Sequence, residues 1–488
     1  MTKVILIGLD GFRPEMMDET LTPHLWALAR KGVLFSHHRS VFPSETYVNV
    51  ASIVTGTTPG AHGIVANAFL DARMGLDEPW HGARADLVEA AIAAYGGTLM
   101  TAPTLGDRLA RAGKSLWVLS GNSAGSALQK HPAVGKCPGH VLLAGSDWRV
   151  SVPTERAARI ADRLGTPPKP VPMADRMDIQ SYLVDAFFLL ASESALPDAT
   201  MLWFGEPDAA YHAFGIGAPE TRKVLAAIDG ELGRIVDWWE SHPEHDRIQL
   251  IVTSDHGHIT QTERVDTHAV LAEAGFRVDR HLQNGADLAL VPGYSGNLSV
   301  RGGDAGLFAA AAEALMACPD VGHVFTSGGN GIEGGVPGTF GQSIVRSGHD
   351  RSPDIFFTLR ADDETDAYGL VGTCRFDNAL PTGVGYHGGL HRSEMQPLLI
   401  AAGSAFAGAR VTTAPSSVID ILPTILTLLD EDVDGVQGRV LVEAFPPSDP
   451  SAVGEARVLS VSHGPYMQML HVTDFEGRRY LDYGLRVR

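Results

Sequence analysis

Short apolar runs that lead into an acidic residue recur along the chain, and this pattern constrains the fold more than any other feature. The run Lys3–Leu9 leads directly into Asp10. The run Ile248–Thr253 is followed, after one serine, by Asp255. Amphipathic stretches lie between such runs, which is typical of strand–helix–strand units on a parallel sheet. Because ligands gather at the carboxyl ends of parallel strands, we predict that the chemistry lies at that edge of the sheet.

The expected fold class is therefore α/β, a three-layer α/β/α sandwich with a largely parallel central sheet and a small inserted cap region. Helices are predicted at 22–31, 220–239 and 416–429 from their apolar spacing. Glycine pairs punctuate short elements between about residues 266 and 350, which indicates an insertion. We predict a catalytic core at 1–265 and 351–445, a cap at 266–350 and a C-terminal extension at 446–488 that ends in a hairpin.

The charge balance argues against two classes of partner. With 57 acidic and 38 basic residues the formal net charge is −19. Nucleic-acid polymers and anionic membranes bind protein surfaces that carry an excess of Lys and Arg. Because acidic residues are in excess here, we expect neither to bind this chain. The three cysteines lack CxxC spacing, and no apolar run approaches the ~20 residues that span a bilayer. A cytoplasmic location is expected, and a homo-oligomer is left open.

Aspartate and histidine residues, whose side chains can bind divalent cations, follow several of the predicted strands. They are Asp10, the pair Asp208 and His212, the pair Asp255 and His256, and His387 between glycines. Asp/His ligation without cysteine suits Zn²⁺, with Mn²⁺ as the alternative. A lone aspartate after a strand often only forms a turn, and an Asp–His pair on a helix often lies on the surface. The prediction of a metal site depends on the joint, ordered occurrence of these residues.

Thr46 is the candidate nucleophile. It lies at the predicted start of an apolar helix, where free N–H groups and the helix dipole favour an anion. A threonine hydroxyl becomes a usable nucleophile when a divalent cation coordinates it. Without a cation the same position would be explained by helix capping alone.

Taken together, these residues resemble the alkaline phosphatase superfamily and, within it, the nucleotide pyrophosphatase/phosphodiesterase (type I phosphodiesterase) branch. The resemblance covers roughly residues 3–430. The motifs that carry it are Asp10-Gly-Phe-Arg, Phe42-Pro-Ser-x-Thr46-x-x-Asn49, His62-Gly-Ile-x-x-Asn67, Glu206-Pro-Asp208-x-x-x-His212, Ser254-Asp255-His256-Gly, His387-Gly and Asp420-Ile-Leu-Pro-Thr-Ile.

The resemblance implies a hydrolase that holds two divalent metal ions and cleaves a phosphodiester or pyrophosphate bond through a phospho-threonine. One ion would be held by Asp10, Thr46, Asp255 and His256, and the other by Asp208, His212 and His387. Asn67 would bind a non-bridging phosphoryl oxygen. The implied substrate is a small phosphate ester or phosphonate.

Departures from the branch's pattern leave alternatives open. His258 stands where an apolar residue is usual, and His391 follows His387 as a candidate substrate-binding or surface residue. A phosphonoacetate-type hydrolase would need a basic residue, for which Lys130 and Lys136 are candidates. A phosphomonoesterase and a metal-binding protein without turnover are further alternatives. The sulfatase motif is absent, and the spacing of Asn67 disfavours a phosphomutase.

Glu45 lies beside the nucleophile. Facing the pocket, its carboxylate would repel an anionic substrate, so we expect it to face solvent.

Overall fold

The computed structural model describes residues 1–75, 78–329, 331–447 and 451–487. Its centre is an eight-stranded sheet, and only Leu399–Ala402 runs antiparallel to its neighbours. The predicted, largely parallel sheet is therefore confirmed. The strands in spatial order are Arg410–Thr412, Val33–Phe35, Leu399–Ala402, Ile248–Thr253, Lys3–Leu9, Ala199–Phe204, Leu116–Ser120 and Val141–Ala144.

Alternation along the strands gives the central sheet two buried faces. On the central strand, Val4 and Leu6 join one apolar cluster, whereas Ile5 and Ile7 join another. Helices cover both faces, which produces the three predicted layers. The first face packs against Thr46–Thr55, Ala85–Ala94, Leu105–Arg111, Ala124–Lys130 and Ile421–Leu428. The second packs against Pro23–Lys31, Thr154–Leu164, Met177–Glu193 and Pro219–Ser241.

A second sheet of six strands forms most of the region that we call the cap. In spatial order its strands are Val278–Asp279, Leu288–Val291, Ser295–Val300, Ile355–Leu359, Val321–Thr326 and Phe340–Gly341. Helices Thr267–Glu273 and Ala305–Ala317 share its apolar core. The expected assignment of residues 355–358 to the catalytic core is wrong at this strand, because Ile355–Leu359 pairs on both sides with cap strands. The remaining domain limits stay a prediction.

A small sheet and the C-terminal strands complete the main elements. The small sheet contains Ala361–Thr365, Val371–Phe376, Ile259–Arg264 and Gly385–Tyr386. The C-terminal strands are Glu455–His463, Tyr466–Phe475 and Arg478–Arg486, one strand more than the predicted hairpin. Gln468 fixes them to the cap, since its Nε2 donates to the carbonyl oxygen of Val324 at 3.1 Å. The loop predicted from Pro446 lies partly outside the described residues.

The other elements are short. Two-stranded ribbons pair His38–Arg39 with Ser416–Ser417 and Ala68–Phe69 with Trp80–His81. Short α-helices are Pro59–His62, Asp208–Phe214 and Arg392–Met395. Turns of 3₁₀ helix cover Pro14–Met16, Ala72–Met74, Val134–Lys136, Trp148–Val150, His245–Arg247, Arg301–Gly303, Gln342–Val345, Val418–Asp420 and Val442–Ala444. Among the described residues, the helices are too short or too polar to cross a membrane.

Candidate active site

The site lies where three neighbouring parallel strands end. The central strand pairs Leu9 with Phe204 on one side and Gly8 with Thr253 on the other. The segments that follow these strands therefore leave the sheet side by side. They are joined directly, since the N–H of Asp208 donates to the carbonyl oxygen of Asp10 at 3.0 Å. The register of the sheet thus brings together residues about 200 and 245 positions apart in the chain.

The first cluster contains Asp10, Thr46, Asp255 and His256. Both carboxylates and the imidazole are fully buried. The Nε2 atom of His256 lies 3.5 Å from Asp10 Oδ1, 3.5 Å from Asp255 Oδ2 and 3.0 Å from the Thr46 hydroxyl oxygen. Asp10 Oδ1 and Asp255 Oδ2 are buried without a hydrogen-bond partner in the described chain. Two such oxygens beside one imidazole nitrogen form a donor set that suits a divalent cation.

Burial and mutual repulsion make the carboxylates of the first cluster unfavourable as bare anions. Burial raises the pKa of Asp10 well above its ordinary value, and the nearby charges of Asp255 and Asp208 raise it further. Burial also raises the pKa of Asp255. A bound cation would reverse this balance, because an opposite charge at ligand distance favours the ionised form.

The second cluster is centred on one oxygen of Asp208. Asp208 Oδ1 lies 3.2 Å from His212 Nε2, 2.9 Å from His258 Nε2 and 3.5 Å from His387 Nε2. Helix Asp208–Phe214 places Asp208 and His212 one turn apart on the same face, as predicted. The ligand atoms of these four residues all lie within 4.8 Å of one another. Asp208 also groups with Asp10 and His256, so it lies between the two clusters.

Three of the four histidines are oriented as metal ligands usually are. The Nδ1 atoms of His212, His387 and His256 lie 2.8, 2.9 and 3.0 Å from the carbonyl oxygens of Gly385, Ser44 and Gly257. Only a protonated Nδ1 can donate to a carbonyl, so the neutral ring keeps a lone pair on Nε2. In all three rings that Nε2 faces the carboxylates, which is the arrangement of a metal-binding histidine.

His258 is different, and the sequence analysis did not include it in the site. Its Nδ1 is buried without a partner among the described residues, so no carbonyl fixes its tautomer. In the tautomer that carries its proton on Nε2, His258 donates a hydrogen bond to Asp208 Oδ1. This hydrogen bond orients the carboxylate. Gly11, at φ +71°, makes room for the ring, since a Cβ there would lie 2.7 Å from His258 Nε2. The sequence feature that could have placed His258 in the site was its adjacency to the Asp255-His256 motif.

Thr46 and Asn67 face the same cavity as the second cluster. Thr46 is the first residue of helix Thr46–Thr55, so its N–H has no partner inside the helix. Asn67 Oδ1 accepts from the N–H of Tyr47 at 3.0 Å, which directs the Nδ2 donor away from that bond. Both residues line a cavity of about 460 Å³, together with Asp208, His212 and His387.

The expected outward orientation of Glu45 is wrong. The residue is buried, lines the cavity, and accepts a hydrogen bond from the N–H of Asn67. Burial raises the pKa of Glu45 to about 8. Through its hydrogen bond with Asn67, the carboxyl group holds the Asn67 loop against the start of helix Thr46–Thr55.

Asn122 is a further neighbour of the first cluster that sequence reasoning missed. Its Nδ2 donates to the second carboxylate oxygen of Asp10. The residue follows the parallel strand Leu116–Ser120, so the strand-end pattern that identified Asp10 could also have indicated it.

The other basic and histidine candidates lie elsewhere. His391 caps the helix Arg392–Met395, and its Nδ1 and Nε2 bond to Ser393 and Asp363 at 3.2 and 2.9 Å. Both ring nitrogens are occupied, and His391 does not line the cavity, contrary to its expected substrate-binding role. Lys130 and Lys136 are also absent from the cavity wall.

A third group of donor atoms comprises His131, Cys137 and His140. His131 Nε2 and His140 Nδ1 lie 2.7 Å apart, and His140 Nε2 lies 3.0 Å from the carbonyl oxygen of Lys114. Hydrogen bonds therefore occupy both nitrogens of His140 and Nε2 of His131, whereas Nδ1 of His131 is buried without a partner in the described chain.

The chain is similar in sequence to known phosphodiesterases. The chain is 26% identical over 259 residues to a venom phosphodiesterase of Macrovipera lebetinus, covering 52% of this chain and 25% of the relative. It is 27% identical over 266 residues to human ectonucleotide pyrophosphatase/phosphodiesterase family member 7, covering 54% and 49%. The chain thus spans half or less of the length of these curated relatives.

The fold resembles that of solved structures over almost the whole chain. An inactive variant of murine ectonucleotide pyrophosphatase/phosphodiesterase 5, in complex with AMP, superposes with a TM-score of 0.60 at 18% identity. The match covers 90% of this chain and 97% of that one. The model of the family described as type I phosphodiesterase / nucleotide pyrophosphatase matches residues 4–317. The chain therefore belongs to the type I phosphodiesterase / nucleotide pyrophosphatase family.

Proposed function

We propose that this protein hydrolyses a phosphodiester or pyrophosphate bond in a small molecule, with Thr46 as nucleophile and two divalent cations as cofactors. The observation that carries the proposal is the position of the Thr46 hydroxyl. It lies at a helix N-terminus, 3.0 Å from His256 Nε2 and on the wall of the cavity. Family membership and the names of the relatives support the same class of reaction.

The residues present fit two cations. Asp10, Thr46, Asp255 and His256 would hold the first through the two unpartnered carboxylate oxygens, the Thr46 hydroxyl group and Nε2 of His256. Asp208, His212 and His387 would hold the second, with Zn²⁺ as the expected metal and Mn²⁺ as the alternative. When bound, the cations lower the pKa of a coordinated hydroxyl or water and neutralise charge that develops on oxygen.

The reaction then divides into two displacements at phosphorus. The Thr46 Oγ1–P bond forms as the bond from phosphorus to the leaving oxygen breaks, and the hydroxyl proton passes through solvent to the leaving oxygen. The N–H of Thr46 and Nδ2 of Asn67 are available donors for a non-bridging oxygen, where they act as fixed dipoles. Water next attacks the phospho-threonine, releases the second product and restores the hydroxyl group.

The two candidate lysines for a phosphonoacetate-type hydrolase do not line the cavity. Lys130 Nζ donates to Ser126 Oγ at 2.8 Å and lies 5.2 Å from the centre of the Trp203 ring. Lys136 Nζ donates to the carbonyl oxygen of Gly97 at 3.4 Å. Neither lysine lines the cavity, although Lys130 Nζ also donates to Oδ1 of the lining residue Asn122 at 3.3 Å.

The test is turnover of bis-p-nitrophenyl phosphate by the metal-loaded protein. Thr46→Ala should lower kcat by at least about 10³-fold, since it removes the attacking oxygen. Thr46→Ser is the matched control, because it keeps a hydroxyl and should retain measurable activity. Full activity in Thr46→Ala would refute the nucleophile assignment. A wild-type protein that is metal-loaded but inert on diesters, monoesters and phosphonates would be a binding protein.

A further inference from the structure

The cavity beside the two clusters has one strongly basic residue on its wall. Of the arginines and lysines in the described part of the chain, Arg176 alone lines this cavity. Its Nε is buried without a hydrogen-bond partner. The same wall carries the neutral polar side chains of Tyr47, Asn122 and Ser123 and the carboxyl groups of Asp208 and Glu45. The unpartnered Nε leaves a guanidinium donor available to an anionic ligand in the cavity.

Main-chain contacts fix Arg176 relative to the second cluster. Its N–H donates to Glu206 Oε1 at 2.6 Å. Its carbonyl oxygen accepts from Gln180 Nε2 at 3.1 Å, and Gln180 Oε1 accepts from the N–H of Gly205 at 3.1 Å. Glu206 and Gly205 belong to the turn that leads into Asp208. The base of the Arg176 side chain is therefore tied to the segment that carries the second cluster's aspartate.

The chemistry of the guanidinium group limits what it can bind. Its planar donors match the paired oxygens of a carboxylate or a phosphate, often in a bidentate manner. It is permanently charged at neutral pH, so it repels a cationic group. The scissile phosphoryl group is already assigned to Thr46, Asn67 and the cations. An anion at Arg176 is therefore a second anionic group of the same substrate.

We propose that Arg176 binds a second anionic group, a phosphate or a carboxylate, on the departing part of the substrate. This inference rests on the proposed function and adds that the second cluster, to whose segment Arg176 is tied, faces the leaving oxygen. It makes phosphoanhydrides and esters with an anionic leaving group the preferred substrates. Esters with a choline-like leaving group would be poor substrates.

The experiment compares leaving groups within each variant. The substrates are the 4-nitrophenyl ester of thymidine 5′-phosphate, the same ester with a carboxylate on the nitrophenyl ring, and ATP. The proteins are metal-loaded wild type, Arg176→Gln, Arg176→Lys, and Lys136→Gln as a control that removes a charge outside the cavity. Circular dichroism and metal content verify that each variant is folded and loaded.

Arg176→Gln should lower kcat/KM about 10- to 100-fold for the anionic substrates that use the subsite. The unsubstituted ester should change less than about threefold. Arg176→Lys should recover part of the loss, and Lys136→Gln should match wild type. A loss confined to ATP assigns the subsite to phosphate, and one confined to the carboxylated ester assigns it to carboxylate.

Equal losses on all three substrates, or no loss on either anionic one, would overturn the proposal. Failure of the proposed function is distinguishable, since wild type would then be inert on all three substrates. In that case the affinity of the metal-loaded protein for inorganic pyrophosphate, measured by calorimetry, decides the question. The Kd should rise about tenfold in Arg176→Gln, and an unchanged Kd would contradict the assignment.

Discussion

The two clusters that we propose to hold cations differ in how their charged groups are partnered. The first cluster has two fully buried carboxylates, each with an oxygen that has no described partner. The second has one carboxylate whose oxygen already contacts three imidazoles. Asp208 and His212 keep 19% and 22% of their side-chain surface exposed, so the second cluster is also open to the cavity.

This difference separates what each cluster contributes. The carboxylates of the first cluster are unfavourable as bare anions, so a bound cation would stabilise the folded state. The second cluster is largely self-compensated, and its open side faces the cavity. We infer that the first cluster is built to activate a fixed nucleophile, whereas the second is built to meet changing ligands.

Substitution of the two central aspartates should have opposite effects on the protein without metal. Asp10→Asn removes a buried charge, so the metal-free protein should gain about 2 °C in Tm. Asp208→Asn removes the acceptor shared by three imidazoles, so the metal-free Tm should fall. Both variants should lose at least about 10³-fold in turnover and about one ion per chain.

Differential scanning calorimetry of chelator-treated protein and metal analysis of loaded protein would measure these quantities. A fall in Tm in both variants would show that the first cluster is not electrostatically strained. Two ions retained in either variant would mean that the ligand grouping is wrong.

Chelation should remove the two ions at different rates. EDTA should first take the ion of the second cluster, because its ligands are reached from the cavity, and then the buried ion. Activity should be lost when the ion of the second cluster leaves, and it should return when Zn²⁺ is restored. Stopped-flow chelation with a zinc indicator would resolve two phases of equal amplitude, and a single phase of two ions would contradict the difference in access.

His258 should affect only the second cluster. His258→Phe removes the donor that orients Asp208. The affinity of the second cluster for its ion should fall by about 10- to 100-fold, as it usually does when an outer hydrogen-bond partner of a metal ligand is removed. The affinity of the first ion should stay within about threefold of wild type. Isothermal titration calorimetry with Zn²⁺ measures both sites. A second site that is fully lost would make His258 a ligand instead of a positioning residue.

Glu45 should give the smallest effect, as a pH dependence of metal-free stability. Its pKa is about 8 in the folded chain, against 4.5 for an ordinary glutamate. Between these values the unfolded chain releases a proton that the folded chain keeps, so stability falls as pH rises from about 4.5 to 8. Glu45→Gln keeps an acceptor for Asn67 and should flatten this decline. Urea titrations across that window would measure the slopes, and equal slopes would contradict the buried pKa.

The sequence could predict the features that depend on local patterns, but not those that depend on contacts between residues far apart in the chain. Asp10, Asp255 and His256 were predictable because each follows a strand, and parallel strands end at one edge. The positions of Glu45 and Arg176 were not predictable from the sequence. They depend on the contact of Glu45 with Asn67 and on that of the Arg176 main chain with Glu206, and both contacts are distant in the chain. The strand Ile355–Leu359 was misassigned because an apolar run does not reveal which sheet it joins. The expected cytoplasmic location and the oligomeric state stay predictions.

The most direct test of the central claim is anomalous diffraction at the zinc edge from crystals of the metal-loaded protein. The account predicts two peaks per chain. One should lie among Asp10, Thr46, Asp255 and His256, and the other among Asp208, His212 and His387. A single peak, or peaks away from these side chains, would contradict the two-cation site.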